Sequence, residues 1–328
     1  MADTNLDHRS GRREAVAAAV LFVLACTQVL WFTVLSDLDQ TDDVLSVVLF
    51  FVLLVGAYLG LSVRAARDRV HAALGSPVRR FLGGPVILLG AALAYAQVSG
   101  LAIPPRALVY GGYLLAPAML LFLCQGRSRS APLWGLAAVS LFWLPIEFDL
   151  LPSLPLPPPD GYDVSRVVGI VAAFYLFLVA WPLGGVGYTL RLERRDFRFA
   201  GAAWLVYALL AVPVGFLTGF LTWQPDVDPV GLLATPVVIY LITAVPEEFL
   251  FRGVIQNLLT RLWGPRVGLG VSAVIFGLAH LPDLRYVLLA TLAGLAYGWV
   301  YARTGKITAS ALTHTGVNWI WGLLLSFS

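Results

Sequence analysis

The sequence has little charge and few residues from which a disulfide or metal framework could be built. Only 12% of its 328 residues are Asp, Glu, Lys or Arg, whereas a soluble domain has about 25%. The mean hydropathy is +0.81. Cys26 and Cys124 both lie inside apolar runs, so neither a disulfide nor a cysteine-based metal site is indicated. These scarcities exclude an ordinary soluble domain and predict a polytopic membrane protein.

Long apolar runs are what the chain has in quantity. Most are near the roughly 20 residues that cross about 30 Å of hydrocarbon. The runs lie at 15–35, 44–63, 83–103, 107–124, 132–146, 165–190, 200–222, 230–262, 266–281, 285–302 and 307–326. Backbone inside a bilayer must satisfy its own hydrogen bonds, which favours helices. We therefore expect an all-α fold, a polytopic transmembrane bundle of about eleven helices.

The charges between the runs alternate in sign. The N-terminus and every second loop carry most of the basic residues, for example Arg64, Arg191 and Arg303, whereas the other loops carry acids such as Glu147 and Asp283. The positive-inside rule then places the N-terminus in the cytoplasm, and an odd number of spans places the C-terminus outside. The basic loops are thus determinants of orientation, and nothing supports nucleic-acid binding. A single lysine beside abundant alanine, glycine and leucine favours a bacterial cytoplasmic membrane protein.

Three charged residues break the apolar pattern in the middle of the run 230–262. Glu248 and Arg252 are four residues apart, so they lie on one helical face and can pair. Glu247 points about a quarter-turn away and is not served by that pair. An acid at the centre of a span costs roughly 2.5–3.5 kcal/mol, so it binds a proton or finds a partner. Pro246 is expected to kink or restart the helix.

Two later helices bring polar residues to a similar depth. At 1.5 Å per residue, Glu247 and His280 each lie about 21–22 Å from the turn between their helices. His314 and Asn318 are four apart and share one face, about 12 and 18 Å from Lys306 by the same rise. We therefore expect these side chains to approach one another in the middle of the bilayer.

These residues form three motifs that resemble those of the CPBP (Abi) intramembrane proteases, which include CAAX prenyl endopeptidases and bacteriocin-processing enzymes. The motifs are Glu247-Glu248-x-x-x-Arg252, Phe276-x-x-x-His280 and His314-x-x-x-Asn318. The resemblance covers roughly 230–326. It divides the chain into an N-terminal multi-helix membrane region of unknown role, 1–195, and a catalytic membrane core, 196–328, with its motifs within 245–318.

The resemblance implies hydrolysis of a peptide bond in a membrane-embedded or lipid-anchored protein or peptide. By motif position, Glu247 and His280 would activate the attacking water. His314 and Asn318 would stabilise the oxyanion, and the supporting residues of the first motif would be Glu248 and Arg252.

Other chemistries could use the same residues. Glu247, His280 and His314 make a three-ligand set that would leave a catalytic zinc an open position. No His-Glu-x-x-His sequence is present and Glu248 is expected to pair with Arg252, so a metal-free glutamate mechanism without a cofactor is favoured. A proton-coupled transporter could use the three as a relay, but its ionisable groups should lie in both halves of the chain. An inactive membrane scaffold is the third alternative.

Overall fold

The computed structural model describes residues 2–35, 55–126, 130–155, 163–225 and 229–327. These residues are helical apart from connecting loops and two three-residue strands, which confirms the all-α prediction. The chain divides into two compact units, Met1–Leu183 and Gly184–Ser328. The functional boundary predicted at 195/196 stays a prediction.

The first unit is a set of apolar helices. They are α1 (Ala2–Leu35), a helical segment at 55–60, α2 (Arg64–Leu74), α3 (Pro77–Val98), α4 (Ile103–Leu123), α5 (Ala131–Glu147) and α6 (Val164–Tyr175), which continues as a π-helical segment (Leu176–Ala180). Proline stands in the first turn of α3, α4 and α5, where its missing N–H costs no hydrogen bond. The second apolar run, 44–63, lies largely outside the described residues.

Helix α2 occupies a basic segment that the hydropathy pattern assigned to a loop, and that expectation is wrong. None of its residues is buried, which is why an apolar-run criterion does not find it. His71 anchors it: Nδ1–H donates to the carbonyl oxygen of Val179 at 2.8 Å, and Nε2 accepts from Arg80 at 2.5 Å.

The second unit contains the motifs. Its elements are α7 (Arg194–Leu217), β1 (Leu221–Trp223), α8 (Pro229–Val238), a π-helical segment (Ile239–Ala244), α9 (Val245–Glu248), a second π-helical segment (Phe249–Gln256), α10 (Asn257–Trp263), α11 (Pro265–Leu278), α12 (Leu284–Thr304), α13 (Ile307–Leu324) and β2 (Leu325–Phe327). Strands β1 and β2 pair antiparallel, with Leu221 opposite Phe327.

Several helices are long and apolar enough to cross a membrane. Among the described residues four meet both criteria, Pro77–Val98, Ile103–Leu123, Arg194–Leu217 and Leu284–Thr304, and three shorter apolar helices accompany them, Ala131–Glu147, Val164–Ala180 and Pro265–Leu278. Large apolar side chains on these helices face outward; Leu108, for example, is 80% exposed. A membrane protein is supported, but the predicted number of about eleven spans is not confirmed.

Helices α11 and α12 pack through glycine. A Cβ on Gly277 would lie 2.0 Å from the Thr291 hydroxyl oxygen, and one on Gly294 would lie 2.9 Å from the Ala273 Cα. Contacts this close between helix backbones are possible only for glycine at those positions. The packing brings the end of α11, and His280 just beyond it, against the start of α12.

The start of α13 is anchored to the loop before α7. Gly187 has φ +70°, and a Cβ there would lie 1.8 Å from the Gly305 carbonyl oxygen. Lys306 Nζ lies 2.7 Å from Asp196 Oδ2, and the Asp196 side chain is fully buried. These contacts fix the base of the helix that carries His314.

Candidate active site

The first motif lies on an irregular stretch of helix. Helix α9, which contains Pro246, Glu247 and Glu248, is flanked by π-helical segments on both sides. Proline lacks an N–H donor and disturbs the preceding turn, which agrees with the predicted irregularity at Pro246. π-Helical turns inside α-helices occur frequently at functional sites.

Glu248 is fully buried and contacts three residues. Its Oε2 lies 3.2 Å from Arg252 Nε and 2.5 Å from Ser310 Oγ, and its Oε1 lies 3.0 Å from His314 Nδ1. The predicted Glu248–Arg252 pair is thus present, with both side chains at 0% exposure. The Ser310 hydroxyl also lies 2.8 Å from the Tyr297 carbonyl oxygen, but its one proton goes preferentially to the charged acceptor.

Arg252 lies among aromatic rings. Its Cζ is 4.8 Å from the centre of the Phe276 ring, 5.6 Å from that of Tyr297 and 5.9 Å from that of Phe251. Its Nη1 and Nη2 have no hydrogen-bond partner among the described residues. Ring faces attract a cation, so the cage stabilises a charge that one carboxylate alone would leave partly uncompensated.

His314 connects the two acids of the motif. Nδ1 lies 3.0 Å from Glu248, and Nε2 lies 3.8 Å from Glu247 Oε2. The Glu248 carboxylate can only accept, so Nδ1 carries a proton. The Tyr297 ring stacks on the imidazole, with centres 4.7 Å apart and planes 14° apart. The Glu247 side chain is 36% exposed, so solvent can reach Glu247 and not Glu248.

His280 follows the end of α11 and is half-buried. Its Nδ1 lies 2.8 Å from the Phe276 carbonyl oxygen. A carbonyl only accepts, so Nδ1 is protonated and Nε2 of the neutral ring has a free lone pair. The Phe276 ring lies 5.0 Å from His280 and 5.9 Å from His314, between the two imidazoles.

Direct contacts therefore join four of the six predicted site residues. Glu247, Glu248, Arg252 and His314 form one contact network. His280 lies near it and interacts electrostatically with His314. Asn318 is half-buried on α13, one turn beyond His314 on the same face.

The grouping of metal-ligating side chains bears on the zinc alternative. Within the part of the chain that the structure describes, no three His, Cys, Asp or Glu side chains are grouped closely enough to hold one. Glu248 contacts His314 through Nδ1, and His314 Nε2 faces Glu247 at 3.8 Å.

The structure adds residues that the motifs do not include. Ser310 is four residues before His314, so the i, i+4 spacing within α13 could have indicated it. Tyr297 and Tyr286 come from α12, and no local spacing connects them to the motifs. Their roles depend on how α12 packs against its neighbours.

A comparison with known protein families concerns this same region. Residues 229–320 match the family model described as type II CAAX prenyl endopeptidase Rce1-like, and this range contains all three motifs. The match supports an assignment of this segment to the CPBP family of CAAX proteases. The family is one of proteases that act on membrane-associated proteins, which agrees with the apolar helices around the CAAX-protease segment.

A second comparison supports the family. The chain is 25% identical over 154 residues to UPF0177 protein YxdF of Lactococcus lactis subsp. lactis (strain IL1403), an alignment that covers 44% of this chain and 85% of that protein. No solved structure is a significant match.

Proposed function

We propose that the protein is an intramembrane endopeptidase in which Glu247 and His280 activate water while His314 and Asn318 stabilise the oxyanion. The observation that carries the proposal is the contrast between the two histidines. His280 Nδ1 donates to a neutral carbonyl, whereas His314 Nδ1 donates to a carboxylate. The first arrangement leaves Nε2 with a lone pair that can accept a hydrogen bond from water, and the second places the His314 ring against a negative charge.

We assign water activation to Glu247, the more exposed of the two acids. Glu247 is open to solvent while Glu248 is sealed and already contacts Arg252, Ser310 and His314. A carboxylate within reach of a water molecule can act as a general base. The free Nε2 of His280 accepts the second hydrogen bond of that water and so orients it.

Oxyanion stabilisation falls to α13. In this role His314 keeps Nδ1–H on Glu248 and donates Nε2–H to the oxyanion, with the Glu248 carboxylate beside the ring. Asn318 adds an amide N–H from the next turn. Each donor of such a pair is typically worth about 2.7–4 kcal/mol in the transition state.

These residues account for each proton that the proposed reaction transfers. The water oxygen bonds to the peptide carbonyl carbon while Glu247 takes one water proton. The carbonyl oxygen becomes the oxyanion held by His314 and Asn318. As the C–N bond breaks, the leaving nitrogen receives the proton from Glu247.

The proposed substrate is a membrane-embedded or lipid-anchored protein or peptide. The matched family model describes CAAX prenyl endopeptidases, so the first probe is a fluorescence-quenched peptide that ends in a farnesylated CAAX sequence. The same peptide with a transmembrane anchor in place of farnesyl distinguishes a prenyl substrate from a general membrane substrate. We further propose no metal cofactor, which activity unchanged by a zinc chelator would support and chelator inactivation reversed by zinc would contradict.

The proposal includes the topology. We assign about eleven spans in a bacterial cytoplasmic membrane, with the N-terminus cytoplasmic, the C-terminus outside and 196–328 as the catalytic core. Alkaline phosphatase fused to the C-terminus should be active and a fluorescent protein fused there should be dark. The reverse pattern would contradict this orientation.

The decisive experiment is Glu247→Gln in purified protein reconstituted into vesicles. We expect loss of cleavage by at least about 100-fold, since general acid–base catalysis contributes about 10²–10⁴-fold. Glu147→Gln is the matched control, because Glu147 is an exposed carboxylate at the end of α5 that accepts a hydrogen bond from Trp143 Nε1. A folded Glu247→Gln protein that still cleaves would refute the assigned base.

A further inference from the structure

Tyr286, in the first turn of α12, contacts His280. The two ring centres are 4.4 Å apart and the planes meet at 72°, an edge-to-face arrangement. The hydrogen bond from His280 Nδ1 to the Phe276 carbonyl holds one atom of the imidazole but leaves the ring able to rock about that bond. An edge-to-face aromatic contact restricts this rotation because its attraction depends on ring orientation.

Glu247 is on α9 and His280 follows α11, so neither element alone sets the distance between the two members of the water-activating pair. Tyr286 comes from a third helix, where it contacts His280 and its ring lies within the electrostatic influence of Glu247.

Tyr286 is itself braced on its other side. The Phe220 ring lies 5.2 Å from the Tyr286 ring with planes 31° apart. Arg285 Nη1 donates to the Gly219 carbonyl at 3.1 Å, and Arg285 Nη2 lies 2.7 Å from Asp283 Oδ2. The hydrogen bonds from Arg285 lower the pKa of Asp283 to about 2, and the Asp283 carboxylate caps α12 by accepting from the Arg285 backbone N–H.

We propose that Tyr286 is a positioning residue for water activation: its ring sets the plane of the His280 imidazole so that Nε2 faces the water shared with Glu247. The proposal rests on the proposed protease function. It assigns Tyr286 no contact with the reacting atoms. The aromatic ring is the part of the side chain that matters, and a planar replacement should preserve it.

The test compares Tyr286→Met with Tyr286→Phe. Methionine fills similar space without a planar ring, and a misplacement near 1 Å can cost on the order of 100-fold in rate. We expect Tyr286→Met to lower kcat by about 10–100-fold with KM within about twofold, and to displace the limb of the kcat/KM pH profile that reports the activating pair. Tyr286→Phe should keep kcat within about threefold, because the ring remains.

The control is Leu288→Ala, two residues further along α12 on a side chain that is 48% exposed. It should leave kcat, KM and the pH profile unchanged. A purely structural role for Tyr286 predicts a smaller active fraction with an unaltered pH profile, and that result would overturn the proposal. Equal losses in Tyr286→Phe and Tyr286→Met would overturn it as well.

Two further results separate the possible failures. If Tyr286→Met does not fold, Phe220→Met is used instead, because it removes the ring that braces Tyr286. A lower kcat of Phe220→Met at constant KM would support the proposal, and an unchanged kcat would overturn it. If Glu247→Gln remains active, the protease assignment itself fails. If Glu247→Gln is inactive while Tyr286→Met behaves as the parent protein, only the role of Tyr286 is rejected.

Discussion

Replacing Arg252 by methionine tests whether the buried pair holds the first motif together. The change would leave the Glu248 carboxylate fully buried with Ser310 and His314 but without its cation. Removing one partner of a buried pair costs about 3–5 kcal/mol. Methionine keeps apolar contact with Phe276 and removes a guanidinium whose three nitrogens make no hydrogen bond with the described residues. We therefore expect the free energy of unfolding to fall by about 3 kcal/mol, the lower end of that range.

The double variant Arg252→Met with Glu248→Gln supplies the internal comparison. Glutamine removes the uncompensated charge and still accepts a hydrogen bond from Ser310. The double variant should therefore be less destabilised than the two single variants together, with a coupling free energy of at least about 2 kcal/mol. Unfolding of the full chain by SDS in mixed micelles, followed by far-ultraviolet circular dichroism, measures all four proteins.

A matched control exists in the first unit. Arg64 and Asp68 have the same four-residue spacing on α2. Arg64 Nε lies 3.9 Å from Asp68 Oδ2, and the two side chains are 79% and 73% exposed. Solvent screening makes such pairs weak, so the corresponding cycle should show no measurable coupling. Additivity within about 0.5 kcal/mol at Glu248 and Arg252 would refute the argument that burial makes their interaction strong.

Three further predictions concern the site and its supports. Asn318→Ala should lower kcat by about 100-fold or more at similar KM if its amide stabilises the oxyanion; cleavage kinetics check this, and an unchanged kcat would remove Asn318 from the site. Gly277→Ala should destabilise the protein by about 1–3 kcal/mol, because the added methyl group overpacks against α12. Gly270→Ala is the control: this glycine of α11 faces open space, so the change should be neutral or stabilising. Unfolding by SDS measures both variants. Lys306→Met should destabilise by up to about 3 kcal/mol because the buried Asp196 would keep only the more distant and more exposed Arg195, 3.8 Å away, as its cation. Adding Asp196→Asn should recover more than half, and no recovery would argue against the pair.

Some features of the site follow from spacing along one helix. Glu248 and Arg252 pair because residues four apart on a helix share a face, and that geometry is local. The same rule puts His314 and Asn318 on one face of α13. Apolar runs predict helices because backbone in a bilayer must satisfy its own hydrogen bonds. The basic helix α2 escapes this criterion because none of its residues is buried.

Contacts between residues on different helices could not be predicted from spacing along one helix. Helix rise gives the depth of each side chain but not the rotation of one helix against another, so the sequence placed Glu247, His280 and His314 at overlapping depths without saying which would touch. The tertiary packing decided that His314 lies between both acids and that Tyr286 lies against His280. Spacing within each helix determined which residues share a face, because that depends only on local backbone geometry. The contacts between faces were decided only by the packing of distant segments, as where Gly277 lets α11 approach α12.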